Sequence, residues 1–596
     1  MAASGDAQAK KPFRAALPMM ALALLVAIVL GGAEVTDDGI RRVYNARELN
    51  HLKLASACRA SLEAGHFPPS QIETPGELPL NPYLQFASPG PCLAMGLAST
   101  VVANNSLGAS VTLVLLTAAA FFFAQRLGKY LSRSGPLALL GAFFYATAPY
   151  LAAARAISGE LPLYAGMAFA PLALHAALRA VARPRAAQVA LAAVALAWLA
   201  LCHLGLAVDL TALFGLYLAA GLFCAVPGAR DRRRRLRRKL FRVGVALFLA
   251  ALSFNLLAFY ALPLLGAGET LWRVLPPSYW GDGGPWGFLN LLSQGGLAPD
   301  APRGNALRMG VLSYVSFLGF FWWSARAGAL RKAAPLLIAC FPLALAGAGL
   351  RVLPAGAGPW GLAPLSLAGL PLTLALGRAV ARRFKLSLGG EGIAAFFLSA
   401  LSLYLCLPYI YDRNPPPYYP LLVSEADLDK IPWEDDLQYL FYRTAPPGYR
   451  ASAPEALFLL RGEEGAEKGS LVFRGDLARV AGAPGWRGEL ILDYLSNPRF
   501  QELTLTIDGE SARVETRDFW LPLDLESPRP EIAALMGPRL LVGSLPSSGL
   551  LEARVRWVGS KLGSWLSLGT ATALAFLVAR AEFARRRSRG KGPPRE

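Results

Sequence analysis

Charge is scarce in this 596-residue chain. Only 17% of residues are Asp, Glu, Lys or Arg, against 54% hydrophobic. An ordinary soluble domain carries about 25% charged residues, so a soluble globular enzyme is excluded. Histidine is scarcer still, at four residues. None has ligand spacing, so there is no zinc motif. Six cysteines do not make a disulfide scaffold in a chain this long. Acidic residues number 40 against 59 basic ones, a net charge of +19. Such an excess invites a nucleic-acid reading. The basic residues, however, fall in short clusters between apolar runs, where they act as topology signals. No nucleic-acid partner is expected.

What is present is length of apolar run. A helix needs about 20 apolar residues to cross a bilayer. Runs fall near 15–33, 106–124, 135–153, 163–182, 186–203, 206–226, 241–262, 310–325, 333–350, 359–377, 392–410 and 562–579. The first follows "KKPFR" and is preferred as an uncleaved helix, because "GGAEV" is a weak cleavage site. With about twelve helices, the clusters "KKPFR", "QRLGKYLSR", "RAVARPR", "RDRRRRLRRK", "RAGALRK", "GRAVARRFK" and "RRRSRGK" share one side. That side is the cytoplasm by the positive-inside rule, so both termini are expected there. Residues 88–104, "SPGPCLAMGLASTVVAN", are then a juxtamembrane or re-entrant helix. A full span there would move "QRLGKYLSR" outside.

The expected fold is an α-helical polytopic membrane protein with a C-terminal extracytoplasmic β-sandwich-like domain and a final transmembrane helix. Residues 1–410 form the transmembrane domain, with a first outer loop at 34–105. Residues 411–558 form the β-rich domain, and 559–596 the last helix and basic tail. In the β-rich part the hydrophobic period drops to two, in "GELILDYL", "ELTLTID", "SARVETRDFWLPLDL", "PRLLVGS" and "LEARVRWVG". The Pro-rich "YDRNPPPYYP", 411–420, leads in. Cys202, Cys224, Cys340 and Cys406 lie in apolar runs and pack there. Cys58 and Cys92 share the first loop and could pair in an oxidising compartment; the sequence leaves this open.

Ionisable residues collect on the outer side. The first loop carries Asp37, Asp38, Arg41, Arg42, Arg47, Glu48 and His51. The next outer loop carries Arg155 and Glu160, and a third, near 263–306, carries Glu269 and Arg273. Each has a plain alternative. Asp37 or Asp38 can cap a helix that starts near Gly39. Arg155 and Glu160 can form an ordinary interfacial ion pair. Glu269 can be structural. His203 sits where one short span turns into the next and can be a packed, hydrogen-bonded histidine. His175, mid-span, is expected to bond a neighbouring helix. Trp520 and Trp557 in the β-rich part can stack on glycan or simply pack.

The order of these pieces resembles the GT-C superfamily of integral membrane glycosyltransferases, and within it multi-spanning bacterial members. The first-loop pattern is matched by "DDG" (37–39), "AGHFPPS" (64–70) and "NPYLQFASPGP" (81–91). "APYLAAARAISGELPLYAG" supplies Arg155 and Glu160, "CHLG" supplies His203 with Gly where the pattern has an amide, and "FYALPLLGAGE" ends at Glu269. The likeness covers about the first half of the chain. It carries no acceptor signature.

The resemblance implies transfer of a sugar from a polyprenyl-phosphate-linked donor to a glycan, lipid or protein acceptor. The expected setting is the extracytoplasmic face of a bacterial inner membrane. It assigns the first-loop acid to the catalytic centre: Asp38, with Asp37 as alternative or helper. Chemistry fills in the rest. The transfer needs a base for the acceptor hydroxyl and stabilisation of a leaving phosphate. Arg155, Arg41, Arg42 or Arg273 can hold the phosphate through the planar guanidinium fork. Glu160 can orient Arg155, or bind acceptor or a divalent ion. Mg2+ or Mn2+ would suit carboxylates beside phosphate, but no spacing demands a metal. His51, His203 and Glu269 are further candidates. Two other classes stay open: a lipid-linked glycan transporter or flippase, and a non-catalytic scaffold for envelope assembly.

Overall fold

The computed structural model describes residues 20–28, 41–43, parts of 52–63, 89–133, 135–148, 151, 161–223, 232–266, 421–423, 458–464, 470–483, 486–493, 501–519, 539–557 and 560–590. The runs at 310–325, 333–350, 359–377 and 392–410 lie outside them. The described part is mostly helical, with a C-terminal β region. Four of its helices are long and apolar enough to cross a membrane, over Asn105–Leu131, Leu161–Ala182, Lys239–Leu256 and Lys561–Ala584.

Residues 20–28 are helical, and Ala23 and Val26 are buried in the helical core. Helix α1 (Pro89–Val102) has 14 residues. At 1.5 Å per residue it is about 21 Å long, too short to span unaided, as the juxtamembrane reading requires. Helix α2 (Asn105–Ser132) follows at once. Asn104 caps it by accepting from the Leu107 N–H at 2.7 Å. Arg133 ends it in the left-handed region, φ 58°, its N–H donating to the Lys129 carbonyl.

Helix α3 (Gly135–Ala146) stops short of the expected 135–153 run. The reason is Pro149, which disfavours helical geometry in the residue before it. Helix α4 (Leu161–Ala182) contains Pro171, which cannot donate to the carbonyl of Met167. The Tyr145 hydroxyl of α3 donates to that carbonyl instead, at 2.6 Å. An apolar medium offers no water for an orphan carbonyl, so a neighbouring helix supplies the partner. Helices α2 and α4 run in the same direction. Thr117 bonds Tyr164, Phe123 meets Phe169 and Tyr130 meets His175, so residue numbers rise together along both.

Helices α5 (Ala186–Cys202) and α6 (Leu204–Phe223) are joined at His203. Alanine dominates the core these helices share. Small side chains let helices approach closely where no hydrophobic effect drives them together.

The span expected at 241–262 is different in the structure. Helix α7 (Arg232–Leu256) begins inside the basic run and is continuous with the apolar part. It breaks at Leu257, and α8 (Ala258–Gly266) starts afresh. The last helix, α10 (Lys561–Gly590), docks at that break. Its Ser567 hydroxyl accepts from the Phe259 N–H at 3.0 Å and donates to the Asn255 carbonyl at 3.1 Å. One side chain thus satisfies two backbone groups that the break exposes.

A two-stranded ladder joins β1 (Arg41–Val43) to β2 (Leu421–Val423), antiparallel. The C-terminal strands are β3 (Phe458–Glu464), β4 (Ser470–Asp476), β5 (Leu490–Asp493), β6 (Gln501–Ile507), β7 (Glu510–Ser511), β8 (Glu515–Phe519), β9 (Arg539–Gly543) and β10 (Leu550–Trp557). The short helix α9 (Leu477–Ala481) follows β4 and is capped by Asp476. The strands form one ladder in the order β7-β6-β10-β4-β3-β5-β9-β8. Strand β3 pairs in parallel with β5 through its first half and antiparallel with β4 through its second. A single apolar cluster draws on both halves: Leu471, Phe473, Leu551 and Val555 from one, Leu490, Leu492, Leu540 and Val542 from the other. The period-two pattern is literal in β10, where Leu551, Ala553 and Val555 are buried and Arg556 is exposed. "DGE" makes the β6–β7 turn, with positive φ at Asp508 (53°) and Gly509 (84°).

Candidate functional site

His203 lies at one end of the helical bundle, where α1, the start of α6, the α7–α8 break and the start of α10 lie. Helix α1 is wedged into this end by two glycines. A Cβ on Gly90 would lie 3.0 Å from the Cys202 backbone N, and one on Gly96 would lie 2.9 Å from the Cys58 Cβ. The helix therefore sits between the α5 terminus and the helical residues of the first loop. Ser56 of that loop accepts from the Asn105 side chain at 3.2 Å, which ties it to α2 as well. Cys58 and Cys92 are free, buried thiols. Burial pushes the Cys58 thiol up to about 12. Cys92 is also raised, by burial first and by the nearby Cys58 second.

His203 sits at this end, at the junction of α5 and α6. Its backbone is extended, φ −161° and ψ 99°, and it serves two helices. The His203 N–H donates to the Leu199 carbonyl at 2.8 Å, closing α5, and its carbonyl accepts from Ala207 at 3.1 Å, opening α6. The ring Nδ1 accepts from the Leu206 N–H at 2.9 Å. That is the bond an Asn or Asp side chain makes at a helix start. It requires an unprotonated Nδ1, so a neutral ring carries its proton on Nε2. The side chain is buried, and α4 comes close enough that a Cβ on Gly166 would lie 3.0 Å from the His203 Cβ. The geometry makes His203 a helix cap.

Arg41 and Arg42 lie in β1, paired with Val423 and Leu422. This corrects the expectation of a helix beginning near Gly39. Such a helix would hold residues 41–43 in its first turn, and they are extended. Leucine-rich β2 offers them a ladder partner, and the β-branched Val43 suits it. The capping role proposed for Asp37 or Asp38 at that helix goes with it. Asp37, Asp38, His51, Arg155, Glu160, Glu269 and Arg273 lie outside the described residues, as does Trp520. In sequence, Asp38 stands three residues before β1, Glu160 directly before α4, and Glu269 three residues after α8.

His175 was expected to bond a neighbouring helix; the structure gives it a ring contact with Tyr130 of α2, centroids 5.2 Å apart. One ionisable residue passed over in the sequence is Asp209. It belongs to α6, six residues beyond His203, at the same end of the bundle. The signal was available: it is a carboxylate inside an apolar run, which calls for a partner or water. Among the described residues no group of three His, Cys, Asp or Glu could hold a metal ion.

No protein-family model matches the chain, and no curated protein is significantly similar to it. Among solved structures, the chain is similar to the apo form of the oligosaccharyltransferase from Archaeoglobus fulgidus. The TM-score is 0.41 at 15% identity, over 67% of this chain and 55% of that one. The match thus spans little more than half of that protein.

Proposed function

We propose that the chain is a membrane glycosyltransferase that moves a sugar from a polyprenyl-phosphate-linked donor to an envelope glycan, lipid or protein. The observation that carries the reading is the β1–β2 ladder. It fixes the segment that follows the acidic pair against the lead-in to the C-terminal β region. A loop tied down from both sides can hold a carboxylate still, and a positioned base is worth about 10²–10⁴ in rate.

In this reading Asp38 takes the proton from the acceptor hydroxyl. The bond from the anomeric carbon to the donor phosphate breaks as the bond to the acceptor oxygen forms. The leaving phosphate is held by guanidinium groups, with Arg155 first among them and Arg41, Arg42 and Arg273 behind it. Glu160 orients Arg155. The lipid tail of the donor lies against apolar helix faces, which is why sugar chemistry would be built on a membrane bundle.

The test is transfer from a labelled polyprenyl-phosphate sugar by the full chain in liposomes. The wild type should transfer, and Asp38→Asn should lose about 100-fold or more while still inserting. Normal transfer by Asp38→Asn would sink the assignment. Movement of the labelled lipid between leaflets without transfer would favour a flippase instead.

A further inference from the structure

Helix α7 carries a feature that sugar transfer does not use. It begins inside the run "RDRRRRLRRK" and stays helical without interruption to Leu256. Seven of its first eight residues are cations: Arg232, Arg233, Arg234, Arg235, Arg237, Arg238 and Lys239. Arg242 follows one turn on. The helix itself holds no carboxylate, and the nearest in sequence is Asp231, just before it.

A helix sets residues four apart side by side, and like charges there are destabilising. Arg233 with Arg237, Arg234 with Arg238, Arg235 with Lys239 and Arg238 with Arg242 all have that spacing. The helix dipole opposes them as well, because its positive end is the N-terminus. Helix α10 shows the contrast. It keeps Arg585, Arg586, Arg587 and Arg589 at its C-terminus, where the dipole favours cations, with Glu582 just before them. The basic turns of α7 therefore favour an anionic surrounding more strongly than those of α10.

Depth and shape point to the anion. The part Lys239–Leu256 is long and apolar enough to cross a membrane. Its 18 residues make about 27 Å of helix, close to a hydrocarbon core of about 30 Å. The seven residues before it carry the helix about 10 Å further, to the depth of the headgroups. One side of α7 is taken by α5, where the Ser253 hydroxyl donates to the Ala193 carbonyl at 3.2 Å and Leu249 is buried. On another side Arg237, Phe241, Gly244 and Phe248 follow one another at helical spacing, all exposed, with Leu240 and Leu247 beside them. A Cβ on Gly244 would meet nothing within 4 Å. The glycine leaves a notch between two pairs of large apolar side chains. A cation at the top and an open apolar stripe below it match a phospholipid, headgroup first and acyl chain after.

We propose that the first turns of α7 bind the headgroups of acidic phospholipids, with an acyl chain lying in the notch at Gly244. Each Lys or Arg held near an anionic bilayer surface adds to the attraction. The lipid supplies the negative charge that stabilises a helix start made almost wholly of arginine. This is independent of the transfer reaction.

The experiment is native mass spectrometry of the purified full chain with phosphatidylglycerol or phosphatidylcholine. The wild type should retain phosphatidylglycerol selectively and saturably. Equal retention of both lipids overturns the proposal without need of any variant. Joint replacement of Arg233, Arg234, Arg237 and Arg238 by Gln should weaken phosphatidylglycerol binding by at least about tenfold. Joint replacement of Arg585, Arg586 and Arg587 by Gln, on α10, should leave it within about twofold. An unchanged affinity in the α7 variant, or an equal loss in the α10 variant, overturns the site. Should the fourfold variant fail to insert, Arg237→Gln with Arg238→Gln leaves five of the seven cations in place. It should show a smaller but measurable loss, and wild-type affinity there overturns the site. Dimers that form without bound lipid and are lost in Phe241→Ser would mean that a second copy covers this face, and the lipid assignment would fail. Complete displacement of the lipid by inorganic phosphate would overturn it too.

Discussion

Replacing His203 separates a capping histidine from a catalytic one. In His203→Ala the Leu206 N–H loses its 2.9 Å acceptor inside a buried corner. Loss of a helix cap costs about 1 kcal/mol. Stranding a buried donor adds about 1–3 kcal/mol where nothing replaces the partner. Hydrogen bonds between membrane helices average only about 0.6 kcal/mol, because the opened state finds other partners. The low end of the second term therefore applies, and the expected loss is about 2 kcal/mol, roughly a 30-fold change in the unfolding equilibrium. Asn is the informative replacement. Its Oδ1 hangs from Cγ, as the histidine Nδ1 does, so it can accept the same bond. His203→Asn should recover most of the loss, while His203→Gln, one bond longer, should not. The assay is equilibrium unfolding of the three variants in mixed detergent micelles. A neutral His203→Ala, or a His203→Asn as unstable as His203→Ala, would refute the capping argument. Loss of transfer in a fully stable His203→Asn would return the ring to the chemistry.

Other outcomes follow from the same geometry. A side chain at Gly563 would overlap the Ala258 carbonyl and come within 3.0 Å of the Phe259 Cα. Gly563→Leu should therefore push α10 off the α7–α8 break, and limited proteolysis should find new cleavage near 557–563. Ser567→Ala strips two backbone partners and should lower stability by about 1–2 kcal/mol, read as a shift in the detergent unfolding midpoint. Cysteines at the paired positions Arg41 and Val423 should cross-link on mild oxidation, and a pair at Arg41 and Leu421, two residues out of register, should not. The buried Cys58 should react with maleimide at pH 8 at least about 1000-fold more slowly than a free thiol, since its ionisation is moved from 9.0 to about 12. That raised value also gives a sign for stability. The protonated form is favoured by folding, so its contribution is intact below pH 9 and is lost as pH rises through about 12. Melting curves of the wild type and Cys58→Ser between pH 8 and 11 should converge at the alkaline end.

The helices were readable because apolar length is a strong, local signal. Several breaks within the long runs were less so. Pro149 is visible in the sequence and does end α3 early. The break at Leu257, by contrast, exists because Ser567, about 310 residues later, supplies the groups it leaves open. No local pattern encodes that. The strand at Arg41–Val43 was missed for the same reason. "RRV" is too short to declare itself, and its partner, Leu421–Val423, is remote. In the C-terminal region "ELTLTID" and "LEARVRWVG" alternate plainly and form β6 and β10. "SLVFRGD" does not alternate, because the first four residues of β4 are all buried. As for the candidate site, His203, Arg41 and Arg42 are placed by the described residues, and Asp37, Asp38, Arg155, Glu160, Glu269 and Arg273 lie outside them. His203 looked ambiguous because a capping ring and a catalytic ring occupy the same kind of corner; only the Leu206 bond distinguishes them.

The small ladder between β1 and β2 has a consequence in time. Its two strands are separated by almost 380 residues of chain. A ribosome adding about 5–20 residues per second needs about 20–75 s to bridge that interval. The first strand must wait through the insertion of most of the membrane domain before its partner exists. Until then Arg41–Val43 has no ladder partner. A chain organised in this way completes that pairing only after residues 421–423 have been made.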